Sequence, residues 1–167
     1  MNRTLIALVE DKPGVLNRVA SLFRRRVFNI ESLTVGHTEH PGISRMTIVV
    51  DSGRTDAQKV AQHLYKLVNV IQVEDVTEQP AVIRDLALIR VQANGGTRSE
   101  VMQIVDTFRA RVVDVSLDTL MIEVTGTEEK VEGLVEVLRP FGIAEMVRTG
   151  RVAMVRGGNG NGKKSYA

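Results

Sequence analysis

One loop near the start of the chain has residues that can hold a small anion. The apolar run 5–9 leads into the charged, breaker-rich segment 10–14, and helical periodicity begins at Val15. A strand that enters a helix through such a loop leaves the backbone N–H groups of Gly14, Val15 and Leu16 unpaired at the positive end of the helix. That arrangement suits a carboxylate.

Two further side chains extend this chemistry to a free amino acid. Asp11 can cap the helix or pair with an ammonium group, and Asn29, on the next strand, offers both a donor and an acceptor. Gly14 lets a ligand come close to the backbone because it has no Cβ. An ordinary turn before a capped helix has the same residue types, so the residues alone leave both interpretations open.

Other motifs predict no chemistry. His37 and His40 are close in sequence, but no strong third ligand is spaced with them, so we interpret them as solvated turn residues rather than a metal site. Segment 157–164 spells G-x-x-x-x-G-K-K, without the Ser or Thr, the strand and the helix of a phosphate loop. The absence of cysteine excludes thiolate chemistry. We predict no catalytic, metal-binding or cofactor-binding residue.

The composition is that of a folded, soluble protein. Hydrophobic residues make up 43% of the 167 residues and charged residues 25%, as in globular domains. No apolar run approaches the roughly 18 residues that span a bilayer, and no signal peptide is evident, so we expect no membrane association and a cytoplasmic location. The net charge of +2 matches Lys163 and Lys164 in the tail, so we expect no nucleic-acid partner.

Apolar spacing predicts the element order β-α-β-β-α-β twice, with a break at 78–80. The predicted strands are 5–9, 28–35, 43–50 and 68–76, then 86–91, 112–116, 120–124 and 143–147, with an edge strand at 152–155. The predicted helices are 14–26, 55–67, 97–108 and 127–138. Aligning the ends of the first and third helices places Phe23 over Phe108, which indicates an internal repeat with an offset of 85 residues.

This order predicts an α+β fold of two tandem ferredoxin-like domains. Two right-handed crossovers produce a four-stranded antiparallel sheet with both helices on one face. We expect one domain at 1–78 and another at 85–156, joined by a linker at 79–84 and followed by a disordered tail at 157–167.

Three segments, 9–16, 28–33 and 44–48, resemble the small subunits of acetohydroxyacid synthase, also called acetolactate synthase. Generic ACT domains share only the first of these segments. The resemblance continues through most of the chain except the tail, at 66–68, 88–91, 108–109, 142–143 and 150–153. It implies an N-terminal ACT domain that forms a homodimer and binds valine or another branched-chain amino acid between subunits, followed by a ferredoxin-like regulatory-subunit domain.

The resemblance also implies a function and a partner. A chain of this family is a non-catalytic regulatory subunit in the biosynthesis of valine, leucine and isoleucine. It activates a separate large catalytic subunit, on which thiamine diphosphate, magnesium and FAD are expected, and it mediates feedback inhibition. Carried over from the family, the effector site falls on Asp11, Gly14, Val15, Leu16, Asn29 and Ile30.

Two positions depart from the family pattern. Some relatives have asparagine where this chain has Asp11, whose carboxylate attracts an ammonium group but repels a carboxylate. Many have glycine where this chain has Val27, at the end of the first helix. A left-handed conformation costs a residue with a Cβ roughly 1–2 kcal/mol, so the backbone that leads to Asn29 is expected to differ.

Other functional classes make different demands. An amino-acid-responsive transcription regulator needs a DNA-reading helix, whereas every predicted helix belongs to a ferredoxin-like core. A free-standing enzyme needs a nucleophile or an acid–base group in a pocket. RNA-recognition modules share the element order, but they stack bases on aromatic residues of the central strands, and 5–9 and 43–50 contain none.

Overall fold

A computed structural model describes residues 2–53 and 56–157 of the chain. Apart from Gly157, the tail that we expect to be disordered, 157–167, lies outside these residues. Within the described ranges, no helix is long and apolar enough to cross a membrane.

Two successive sets of strands and helices follow the predicted order, with ends that differ by a few residues. The first set comprises β1 Asn2–Glu10, α1 Val15–Arg26, β2 Ile30–His37, β3 Ile43–Asp51, α2 Ala57–Leu64 and β4 Val70–Asp75. The second comprises β5 Ala81–Gln92, α3 Arg98–Thr107, β6 Arg111–Val115, β7 Thr119–Gly126, α4 Glu128–Leu138, a 3-10 turn at Arg139–Phe141, β8 Ile143–Arg148 and β9 Val152–Val155.

The strands form two antiparallel sheets. The first sheet has the order β2-β3-β1-β4. The second has the order β6-β7-β5-β8, with β9 also paired to β5. Each sheet of four with its two helices is a ferredoxin-like unit, which confirms the predicted fold class. This order places β2 at the edge of the first sheet.

Each sheet buries one face against its helices, and every second residue of a strand points to that face. In β1, Leu5, Ala7 and Val9 are buried in the same core as Val19 and Phe23 of α1. Burying one large side chain of this kind contributes about 1.5–3 kcal/mol. The second sheet encloses a separate core with α3 and α4.

The two domains meet where β5 and β9 approach the first sheet. The first part of β5, 81–84, pairs with β9. Between the domains, Ile6 of β1 forms a small buried cluster with Val76 and Ala153. Arg45 of β3 adds a polar contact, since its Nη2 donates to the carbonyl oxygen of Ala153 at 2.7 Å.

The predicted linker is wrong for residues 81–84, which lie in β5. The charged pair Arg84-Asp85 interrupts the apolar periodicity, so the sequence pattern does not extend the strand across it. Asp85 is nevertheless only 7% exposed, and Arg148 Nη2 donates to its Oδ2 at 3.3 Å. A carboxylate that is neutralised by a residue far along the chain cannot be recognised as buried from its neighbours in sequence.

The helix ends show that the predicted repeat offset is also wrong. The N–H of Phe28 donates to the carbonyl of Phe23 at 3.1 Å, and the N–H of Ala110 donates to the carbonyl of Val105 at 2.9 Å. Both bonds close the same Schellman-type helix end. Phe23 therefore corresponds to Val105 and not to Phe108, because the second helix ends earlier than its apolar pattern suggests.

Candidate functional site

The loop between β1 and α1 presents unpaired backbone donors. Gly14 precedes the helix with φ 84° and ψ −7°, and no side chain caps the helix, so of the two alternative roles predicted for Asp11 the helix cap is not found. Within the described residues, the N–H groups of Gly14, Leu16 and Asn17 have no hydrogen-bond partner. The N–H of Val15, predicted to be unpaired, donates to the carbonyl of Lys12 at 3.3 Å. The first turn of α1 is therefore open to an anion.

Asp11 faces the end of β2 instead of the helix. Its N–H donates to the carbonyl of Gly42 at 2.8 Å, and its Oδ2 lies 3.3 Å from Nδ1 of His37. No cluster of three or more potential His, Cys, Asp or Glu metal ligands occurs in the described part of the chain. The Asp11 carboxylate is half-exposed and free to approach a second, positively charged group.

A buried polar residue, Asn69, supports this loop through hydrogen bonds. Its carbonyl accepts from the N–H of Glu10 at 2.9 Å, and its Nδ2 donates to Glu10 Oε2 at 2.9 Å. Arg18 of α1 donates to Asn69 Oδ1. Hydrogen bonds from Lys12 and Asn69 lower the pKa of the Glu10 carboxyl. Sequence reasoning missed Asn69, although an asparagine within the apolar segment 67–71 was the available signal.

Asn29 and Ile30 lie at the opposite end of the sheet from Asp11. Ile30 is level with Val50, and Val50 is level with Arg3 at the start of β1. From Ile30 to the end of β2, which lies beside Asp11, the strand rises by seven residues, or roughly 23 Å. Within one copy, therefore, the structure brings Asn29 and Ile30 together, and Asp11 to Leu16 together, but not the two groups with each other.

The backbone before Asn29 contains a left-handed valine. Val27 has φ 55° and ψ 36° and is 86% exposed, so it adopts the left-handed conformation despite its Cβ, and the expected departure of the backbone is not found. The side chains around it, including Phe23 and Phe28, line a shallow pocket that also contains Asn29. Asn29 Nδ2 donates to Glu31 Oε1 at 2.9 Å, so its amide is held on the side of β2.

Known families match both halves of the chain. The AHAS small subunit-like ACT domain matches residues 5–72, and the family described as small subunit of acetolactate synthase matches residues 84–157. A probable acetolactate synthase small subunit from Archaeoglobus fulgidus is 54% identical over 157 residues, which cover 94% of this chain and 98% of that protein. The chain belongs to the acetolactate synthase small-subunit family. The predicted resemblance is confirmed.

Relatives from distant organisms support this membership. The small subunit of Mycobacterium leprae is 54% identical over 95% of this chain and 94% of its own length. That of Bacillus subtilis is 47% identical over 94% of this chain and 92% of its own length. The crystal structure of the acetolactate synthase small subunit from Thermotoga maritima superimposes with a TM-score of 0.85, at 40% identity, and covers 93% of this chain and 98% of that one.

Proposed function

We propose that this chain is the non-catalytic regulatory subunit of acetolactate synthase in branched-chain amino-acid biosynthesis. It activates the large catalytic subunit in the cytoplasm and mediates feedback inhibition by valine, leucine or isoleucine. Thiamine diphosphate, magnesium and FAD belong to the catalytic partner. The observation that carries this proposal is the uncapped start of α1 in an ACT-family domain, with unpaired N–H groups at Leu16 and Asn17.

The effector site is formed by two copies of the chain. β2 is an edge strand with eight residues and no proline, so its outer hydrogen-bonding groups can pair with a second β2 strand. In a two-fold antiparallel pair, the start of each strand lies beside the end of the other. Asn29 and Ile30 of one copy then lie near Asp11 and Gly14 of its partner, which a single copy keeps roughly 23 Å apart.

The chemistry of the two groups is complementary to a free amino acid. The open N–H groups at the start of α1 bind the effector carboxylate. Asp11 and the amide oxygen of Asn29 accept hydrogen bonds from its ammonium group. Leu16, which is 50% exposed, and Ile30 supply apolar surface to the branched side chain.

Regulation follows from a population shift. The effector stabilises one arrangement of the dimer, and this arrangement holds the catalytic subunit less well in its active state. The coupling is reciprocal, so the bound catalytic subunit must weaken effector affinity by the same factor. Activation needs no residue of this chain to touch the substrate, because docking can order loops around the remote cofactors.

The test is acetolactate formation by the cognate catalytic subunit, with and without this chain, over a valine titration. We expect faster turnover with the chain and inhibition by valine. Gly14→Asp puts a side chain and a negative charge where the carboxylate binds, and Asn29→His alters the ammonium contact, so both variants should be desensitised yet still activate. The matched control is Gly157→Asp, another glycine with positive φ and open space around it. No activation and no complex would refute the proposal.

A further inference from the structure

The strand β2 has a second close neighbour, the segment 148–151 of the other domain. At Gly150, an added Cβ would lie 3.2 Å from Ser32 Cβ and 3.3 Å from Ser32 Oγ, and closer than 3.0 Å to Thr34 Oγ1. The backbone of Gly150 therefore lies directly against β2, and a larger residue there would force the Ser32 and Thr34 side chains to shift. Thr34 Oγ1 is buried with no hydrogen-bond partner in the described part of the chain.

A polar cavity of about 220 Å³ lies beside this contact and is lined by both domains. Glu31 and Ser32 line it from β2, and Arg148 and Arg151 line it from the second domain. Glu31 is also the residue whose Oε1 accepts from Asn29. The proposed effector residue Asn29 is therefore one hydrogen bond away from the boundary between the domains.

The segment 148–151 is fixed to the second domain. Arg148 forms an ion pair with Glu132, and Arg151 forms one with Glu128, both on α4. The N–H of Thr149 donates to a carbonyl oxygen of β5 at 2.9 Å. A displacement of this segment must therefore displace α4 and β5 with it.

We propose that the contact between Gly150 and β2 transmits effector occupancy from the first domain to the second. This inference rests on the proposed function. Effector binding at Asn29 repositions β2, and because packed contacts deform little, the shift pushes segment 148–151 and with it α4. In this scheme the second domain senses the effector without touching it.

The decisive variant is Gly150→Ala, with the catalytic subunit present. Gly150 does not have a positive φ, so alanine tests the steric contact and not backbone strain. We expect the variant to bind valine within about threefold of the wild-type affinity, as an isolated chain, and still to activate. The ratio of activity without valine to activity at saturating valine should be at least fivefold lower than that of the wild type, and closer to one.

Two further variants separate the contact from a general loss of stability. Thr34→Ala removes the atom nearest to the added methyl group, so the double variant Gly150→Ala/Thr34→Ala should recover at least half of the lost valine response. The matched control is Gly95→Ala, where an added Cβ meets nothing within 4 Å. It should respond like the wild type. An unchanged response of Gly150→Ala would overturn the inference while leaving the proposed function standing.

Hydrogen exchange on the wild-type chain tests the same inference without a mutation that could impair folding. Valine should change the protection of the Thr149 amide and its neighbours in 148–151. Protection of the β1–α1 loop alone would contradict the coupling. No protection anywhere would instead contradict effector binding itself, so the two failures are distinguishable.

Discussion

Replacing Val27 with glycine should stabilise the protein. A left-handed residue with a Cβ carries about 1–2 kcal/mol of strain, and a β-branched valine lies at the upper end of that range. Glycine removes this strain but adds about 0.5–1 kcal/mol of unfolded-chain entropy. Because Val27 is 86% exposed, little burial is lost. The expected net gain is about 1 kcal/mol, or a Tm increase of about 2–4 °C for a chain of this size.

The assay is thermal and urea unfolding of Val27→Gly beside a matched control. Val68 is equally exposed, at 89%, but it does not have a positive φ. Val68→Gly therefore costs the same entropy without releasing strain, and should lower the unfolding free energy. If both substitutions destabilise the chain to the same extent, the strain argument for Val27 is refuted.

Three more predictions concern polar groups. Thr34→Val replaces an unpaired buried hydroxyl with a methyl group of the same shape, so urea unfolding should show about 1 kcal/mol more stability. Asn69→Ala removes the two side-chain hydrogen bonds that support the β1–α1 loop, from Asn69 Nδ2 to Glu10 and from Arg18 to Asn69 Oδ1, which should cost about 2–3 kcal/mol in the same assay. The pKa of Glu10 is lowered in the folded state, so its stabilising contribution is present above its usual pKa and lost as the pH falls through the lowered value. An NMR pH titration should show that lowered pKa, and Lys12→Ala should raise it.

Local patterns predicted most of the fold because periodicity reports which face of each element is buried. The ends of strands depend on partners far along the chain, which is why the predicted strand is shorter than β5. Arg84-Asp85 reads as a charged break, yet Asp85 is buried beside Arg148. Similarly, α3 ends at Thr107, with Arg109 at φ 52°, although the apolar pattern continues to Phe108.

For the candidate site, the sequence predicts the types of residue but not how their side chains are arranged. The spacing identified the loop and Gly14, but not that Asp11 turns to His37 or that Asn69 supports Glu10. The separation of Asn29 from this loop follows from the sheet order. β2 runs parallel to β1 and begins level with the start of β1, whereas the loop follows the end of β1. The spacing of residues carries no information on what a second copy adds across an edge strand, and only the family resemblance implied a site between subunits.

Mixed dimers test most directly whether two copies form the effector site. Gly14→Asp damages the loop of one copy, and Asn29→His damages the β2 residue of the other. If each site combines the loop of one copy with Asn29 of its partner, a mixed dimer contains one site with both defects and one intact site.

Valine binding by calorimetry to each variant alone, and to the two refolded together, is therefore the measurement to make. Random pairing makes about half of the dimers mixed, so the mixture should bind valine at about a quarter of the wild-type stoichiometry with wild-type affinity, although neither variant binds alone. A mixture that forms mixed dimers yet binds no valine, while the wild type does, would contradict an effector site shared between two copies.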